Sequence, residues 1–238
     1  MSGGRHPRIG IPWAAGGGGT PTFLGTHADL SSTGNVSSLT SASWSVSGSN
    51  RFLLAFMGSG AGTPANPSSA KWGGSGGTAL TQQGSALNIG PYGKLSIFSL
   101  VAPTEQTSTS YYLWPSQQDE TASGTVAFTG VNQSTPLGTV ATATGLGSTT
   151  LSPSIAVSSV AGDLVVGAFW MVDQYGTRSI TAPGGTILYD AVVASFETLV
   201  VQSVVATGTS TTLTFNISGS TENANLLDWG LIGVAVKG

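Results

Sequence analysis

The chain has 238 residues, of which 39% are hydrophobic and only 7% charged, with a net charge of −3. An ordinary soluble domain carries about 25% charged residues, so backbone and the 63 serine and threonine hydroxyls must solvate this surface. That balance excludes a basic nucleic-acid face on the folded body, and the lack of cysteine excludes disulfides, thiolate metal sites and a cysteine nucleophile.

Residues 1–20 read as an N-terminal arm, in which Gly3-Gly4 and Gly16–Gly19 bracket Pro7, Pro12 and Trp13. Fifteen extended residues reach about 50 Å. Arg5 and Arg8 with His6 supply its charge, and Ile11 and Trp13 its apolar anchors, so Arg5, Arg8, Ile11 and Trp13 are candidate partner-binding residues. The stretch from Ile9 to Ala15 is broken by Gly10 and Pro12 and lacks the continuous apolar core of a signal peptide. No segment approaches the roughly 18 apolar residues of a membrane-spanning helix. The expectation is a protein made in the cytoplasm, without a membrane partner.

Residues 21–238 read as one β-sandwich domain. Ser41–Ser47 alternates, with Ala42, Trp44 and Val46 on one face, and Thr212–Ile217 alternates likewise. Asn50–Met57 and Leu164–Val172 are short, near-continuous apolar runs bounded by turn residues, the pattern of central strands. Glycine and β-branched residues are too dense for a helix in any window.

The pattern also recurs. Asn50–Phe56 aligns with Asp163–Phe169, Gly76–Leu80 with Gly184–Leu188, and Leu95–Ala102 with Leu199–Ala206. Tyr111–Leu113 falls over Leu213–Phe215, and Val126–Val131 over Trp229–Val234. These matches define repeat halves at about 35–131 and 150–238. A period near 105 residues is too long for a solenoid and suits two Greek-key-like halves interleaved as a jelly-roll-like antiparallel sandwich. The polar, Gly/Thr-rich link Asn132–Leu151 keeps two separate domains as the alternative.

Chemistry-bearing patterns are sparse. Histidine occurs only as His6 and His27, and no G-x-S-x-G elbow exists. Asp119-Glu120 is the only adjacent carboxylate pair and sits in the polar stretch Ser116–Ser123. The other acidic residues do not form a calcium-loop pattern. Neither Gly16–Gly19 nor Gly73–Gly77 has the lysine of a phosphate loop. The expectation is therefore a non-enzyme with no catalytic residue, metal or cofactor. Aromatic side chains can anchor interfaces or stack on sugars. Trp44, Trp170 and Trp229 read as core. Trp72 and Tyr175 border Gly-rich loops and are candidate partner-binding residues.

Phe128–Gly138 (FTGVNQSTPLG), Gly162–Gly167 (GDLVVG) and Trp229–Lys237 (WGLIGVAVK) resemble a jelly-roll-like β-sandwich domain of bacteriophage structural proteins, of the capsid decoration, cement or tail appendage type. The resemblance covers about residues 35–238. It implies a fold and no catalytic residues, because the matching positions are strands and turns. It implies a capsid decoration or cement protein on the virion surface, forming a homotrimer and binding the major capsid protein. The alternative is a carbohydrate-binding or receptor-recognition module of a tail appendage or secreted protein, with a glycan as partner and Trp72, Tyr175 or Trp114 as stacking platforms.

Overall fold

The computed structural model describes residues 19–60, 62–172, 178–193, 197–219 and 227–238, without the side chains of 26–29 and 178. Residues 1–18 of the expected arm, with Arg5, Arg8, Ile11 and Trp13, lie outside the described residues, as does Tyr175. Among the described residues there are twenty-one strands and no helix, the all-β class expected.

In the first half these are β1 (Thr22–Ser32), β2 (Val36–Thr40), β3 (Trp44–Val46), β4 (Phe52–Gly60), β5 (Ser69–Trp72), β6 (Thr78–Ala79), β7 (Thr81–Gln82), β8 (Leu87–Ile89), β9 (Gly93–Val101), β10 (Gln106–Ser108), β11 (Ser110–Gln118) and β12 (Glu120–Thr129). In the second they are β13 (Ala141–Ser148), β14 (Ser154–Ser158), β15 (Leu164–Val172), β16 (Arg178–Thr181), β17 (Thr186–Val193), β18 (Glu197–Val205), β19 (Ser210–Thr214), β20 (Asn216–Gly219) and β21 (Leu227–Val236).

The strands stack as four antiparallel layers. One inner sheet runs β1-β12-β4-β9-β7, with β8 also on β9, and the other runs β13-β21-β15-β18-β17. An outer layer covers each. The first is the sheet β2-β11-β5-β6 with the pair β3-β10, and the second is the pairs β14-β19 and β16-β20.

The layering follows from side-chain alternation. Along β4, Phe52, Leu54 and Phe56 enter the central cluster, while Leu53, Ala55 and Met57 face the first outer layer. Along β15, Val166, Ala168 and Trp170 enter the same central cluster, while Val165, Phe169 and Met171 face the second outer layer. Both faces of β4 and of β15 are apolar, so both must be covered. The outer strands β14 and β19 alternate buried and exposed, as a sheet with one wet face does. Each fully buried large apolar side chain contributes about 1.5–3 kcal/mol, so the central cluster, with 23 buried residues, is the main source of cohesion between the halves.

The halves are stacked, not interleaved as expected from the sequence. Among the described residues, no strand of the first half pairs with a strand of the second. A two-layer sandwich leaves one face of each sheet wet, whereas β4 and β15 are buried along their whole length. The stack meets that requirement by closing inner sheet on inner sheet.

The two inner sheets carry their strands in corresponding order, with β1, β12, β4 and β9 in the places of β13, β21, β15 and β18. Backbone pairing fixes the register. Ala102 N–H donates to the Arg51 carbonyl and Ala206 N–H to the Asp163 carbonyl, so Arg51 corresponds to Asp163. The match of Leu95–Ala102 to Leu199–Ala206 agrees with this register. The match of Asn50–Phe56 to Asp163–Phe169 is one residue out, and a slip of one reverses which face a side chain occupies. Phe56 accordingly enters the central cluster, while Phe169 faces its own outer layer. Val126 corresponds to Val234, not to Trp229, because Phe52 pairs with Phe128 and Leu164 with Val236. Gly76–Leu80 is displaced similarly, since Thr81 opposite Ser99 matches Thr186 opposite Ser203. Tyr111–Leu113 lies on β11, which pairs with β5. Its counterpart by pairing is β20 with β16, not Leu213–Phe215.

Tyr112 joins the first outer and inner layers: its hydroxyl and that of Thr125 lie 2.6 Å apart, fully buried. Burial disfavours the phenolate and raises its pKa from 10.0 to about 12. The folded value lies above the unfolded one, so the associated stability is complete below pH 10 and is lost as pH rises through 12. Two units correspond to roughly 3 kcal/mol at the alkaline limit. Melting temperature is expected to fall between pH 10 and 12, and Tyr112→Phe to flatten part of that fall; an unchanged profile in the variant would remove Tyr112 as its cause.

Candidate interaction surfaces

The ends of β9 and β12 flank the start of β4, and the ends of β18 and β21 flank the start of β15. Both sets lie at one end of the stack, since Val131 N–H donates to the Asn50 carbonyl and Asn132 N–H to the Lys237 carbonyl. The connection from Asn132 to Gly138 crosses this end, tied down by Asn132 N–H to the Lys237 carbonyl, Lys237 N–H to the Pro136 carbonyl and Gly138 N–H to the Ala235 carbonyl. The described chain also begins here, with the Thr20 hydroxyl beside Gly162.

Two features mark this end. The turn before β15 is closed by Asp163, whose carboxylate accepts from Val160 N–H at 2.8 Å, and it docks through Gly162 N–H on the Ala206 carbonyl. Val160 is left 65% exposed and Val205 52%. Second, an open groove of about 490 Å³ lies between Ser99–Val101 and Pro136–Gly138, with Thr81 and Gln83 on its wall. Gln83 Nε2 donates to Ser99 Oγ at 3.0 Å, which holds β7 against β9 there.

Exposed apolar side chains also lie along the two sides of the stack. Phe23 and Leu24 on β1 and Ile187 and Val192 on β17 occupy one side, where β1 packs against β17. Tyr92 and Leu146 occupy the other, where β8 packs against β13. Phe23 leans on Phe128, ring centroids 6.0 Å apart.

Trp72 does not reach the surface as expected. It is 2% exposed, its indole N–H donates to the Thr104 carbonyl at 3.2 Å, and Trp44 meets it edge-on at 5.0 Å. The reason lies in Gly73–Gly77. Gly73 and Gly74 have φ of 102° and 77°, and Gly77 N–H closes on the Gly74 carbonyl, so this is a tight turn from β5 to β6. Trp114, 1% exposed, is also core and offers no stacking face. Trp170 and Trp229 are core, and Trp44 is half-buried against it. A polar groove of about 410 Å³ remains beside the turn, lined by Thr78, Thr104, Gln106 and Ser108.

Asp119 is exposed between β11 and β12, and Glu120 is half-buried at the start of β12. His27 lies on β1. Among the described residues no three His, Asp or Glu side chains gather as metal ligands, and the ion pair Arg51–Glu105, at 3.2 Å, lies at the surface. Val160, Val205 and the groove residues Leu100, Val101, Pro136 and Leu137 were not singled out by the sequence pattern, because a solvent-facing valine reads like any other strand residue. The chain matches no protein-family model, no curated protein and no solved structure.

Proposed function

We propose that the chain is a virion structural protein, a decoration or cement subunit that binds the outside of an assembled capsid shell and stabilises it. The observation that carries this reading is a chain with seven Lys and Arg and ten Asp and Glu in 238 residues, in which most of the large exposed apolar side chains among the described residues collect at one end and along two sides. A surface with so little charge resists association weakly, and exposed apolar clusters mark contact surfaces. The resemblance of Phe128–Gly138, Gly162–Gly167 and Trp229–Lys237 to phage structural domains points the same way. The mechanism is passive: a ligand that binds only the assembled shell shifts the equilibrium toward it by mass action. The end with Val160 and Val205, where Thr20 lies beside Gly162, is the docking face. The homotrimer and the major capsid protein as partner belong to this proposal.

Purified protein mixed with undecorated phage heads is expected to co-sediment with them and raise their resistance to heat. Val160→Asp with Val205→Asp is expected to weaken that binding about tenfold or more, because two apolar contacts are replaced by charges that must be desolvated. Absence of any binding to heads would discard the cement reading.

A second reading takes the polar groove beside Trp72 as a glycan site, with Thr78, Thr104, Gln106 and Ser108 as hydrogen-bonding walls. Glycan-array binding that is lost in Gln106→Ala, with heads left unbound, would select it.

A further inference from the structure

The two inner sheets meet across an internal pseudo-two-fold axis. β1 packs on β17 and β8 on β13, β12 on β18 and β9 on β21, and β4 on β15. β7 and β8 together take the place of β17, since Thr81 and Leu87 face Ser99 and Leu95 as Thr186 and Ala191 face Ser203 and Leu199. Exchanging each strand for its counterpart then carries these five contacts into one another, which is the signature of an isologous interface.

Residues at corresponding positions differ in a consistent sense. Gly58 pairs with Leu95 and Trp170 with Leu199, so Gly58 and Trp170 correspond. Gly60 pairs with Gly93 and Val172 with Glu197, so Gly60 corresponds to Val172 and Gly93 to Glu197. The first half therefore presents three glycines where the second presents Trp170, Val172 and Glu197. These residues meet. A Cβ on Gly58 would stand 2.8 Å from the Trp170 ring, and one on Gly93 would stand 2.9 Å from Val172 Cγ2 and 3.4 Å from Trp170 Nε1. A Cβ on Gly60 would collide with the Glu197 carboxylate. Next to this region the sense reverses: a Cβ on Gly230 would stand 2.5 Å from Ile89 Cδ1. The residue corresponding to Gly230 is Ala122, opposite Gly58 as Gly230 is opposite Trp170. The indole N–H of Trp170 has no hydrogen-bond partner among the described residues, so shape, not a polar contact, seats the ring.

We propose that this pattern keys the two halves to each other: the partner of each inner face is the other half of the chain, and a second copy of the same half is refused. Two first halves joined this way would leave a void where Trp170 sits and press Ala122 against Ile89. Two second halves would bring Trp170 onto Trp170 at the axis and Val172 onto Glu197. Voids and overlaps of this size are both destabilising in close-packed interiors, and such mismatch against the wrong partner is how specificity is built. The closed chain is then the unit that meets other molecules, through its ends, sides and outer layers.

The test is made on the full chain by thermal melting. Gly58→Ala alone is expected to lower the melting temperature by about 10 °C, since the ring must move. In a Trp170→Ala background the same change is expected to cost nothing or to raise the melting temperature, because the methyl enters the vacated space. Equal cost of Gly58→Ala in both backgrounds overturns the proposal. The second measurement exchanges the key: Gly58→Trp combined with Trp170→Gly and Glu197→Gly is expected to melt well above Gly58→Trp alone. A triple variant that melts no higher than Gly58→Trp also overturns it, because the two positions would then not be related by the axis.

Discussion

Trp72→Ala is expected to cost the protein about 3–5 kcal/mol, the usual loss when a buried tryptophan is emptied. For a chain of this length that corresponds to a fall of roughly 10 °C in melting temperature. The ring fills the space between the first inner sheet and its outer layer, beside Leu53, Ala55, Phe98 and Trp114. Its N–H satisfies the Thr104 carbonyl, so Trp72→Phe keeps most of the apolar contact and loses about 1 kcal/mol for the hydrogen bond. An exposed stacking platform behaves in the opposite way: its loss removes sugar binding and leaves the melt almost unchanged. Melting curves of the two variants, measured beside a glycan titration, separate the roles. A melt of Trp72→Ala within 2 °C or so of the parent would mean that the ring does not fill the core.

Gly167→Val is expected to be at least as damaging, about 3 kcal/mol or more. Gly167 and Gly233 face each other across β15 and β21. Together they form a shallow pit on the second inner sheet, and Leu213 from the outer layer drops into it. A Cβ at 167 would overlap Leu213 Cδ1 and stand 3.0 Å from the Ile232 carbonyl oxygen. A Cβ at 233 would meet Val157 Cγ2 at 2.6 Å and Leu213 Cδ1 at 3.2 Å. The side-chain overlap can relax; the backbone oxygen belongs to a paired strand and cannot. The outer pair β14-β19 would have to lift away, breaking the cluster in which Phe169 stacks on Phe215 at 5.3 Å. Hydrogen exchange is expected to quicken first in β14 and β19. Adding Leu213→Ala to Gly167→Val is expected to recover part of the loss. A parent-like denaturation midpoint for Gly167→Val would show that the outer layer does not sit on these glycines.

The candidate site was less legible than the fold, and the residues show why. Trp72 followed by Gly73 and Gly74 looks the same in sequence whether the glycines open a loop or close a turn. Only the positive φ angles and the return of Gly77 onto Gly74 distinguish the two. Val160 and Val205 carry no periodic signal, and their exposure follows from the turn that Asp163 closes. Ser99, Leu100 and Val101 form a groove with Pro136–Gly138 because the connection between the halves folds back across the end of the stack.

The strand class and the choice of central strands were determined by sequence alone. Alternation and near-continuous apolar runs, as in Asn50–Met57 and Leu164–Val172, are local patterns that dictate how many faces of a strand must be covered. Tertiary structure decided how that requirement was met, inner sheet against inner sheet, and it decided the register, with Arg51 matched to Asp163. The physical reason is that register is set by pairing between distant residues, such as Ala102 with Arg51, and layer order by contacts more distant still, such as Gly58 against Trp170. A shift of one residue leaves the local pattern of a strand intact but moves every side chain to the opposite face.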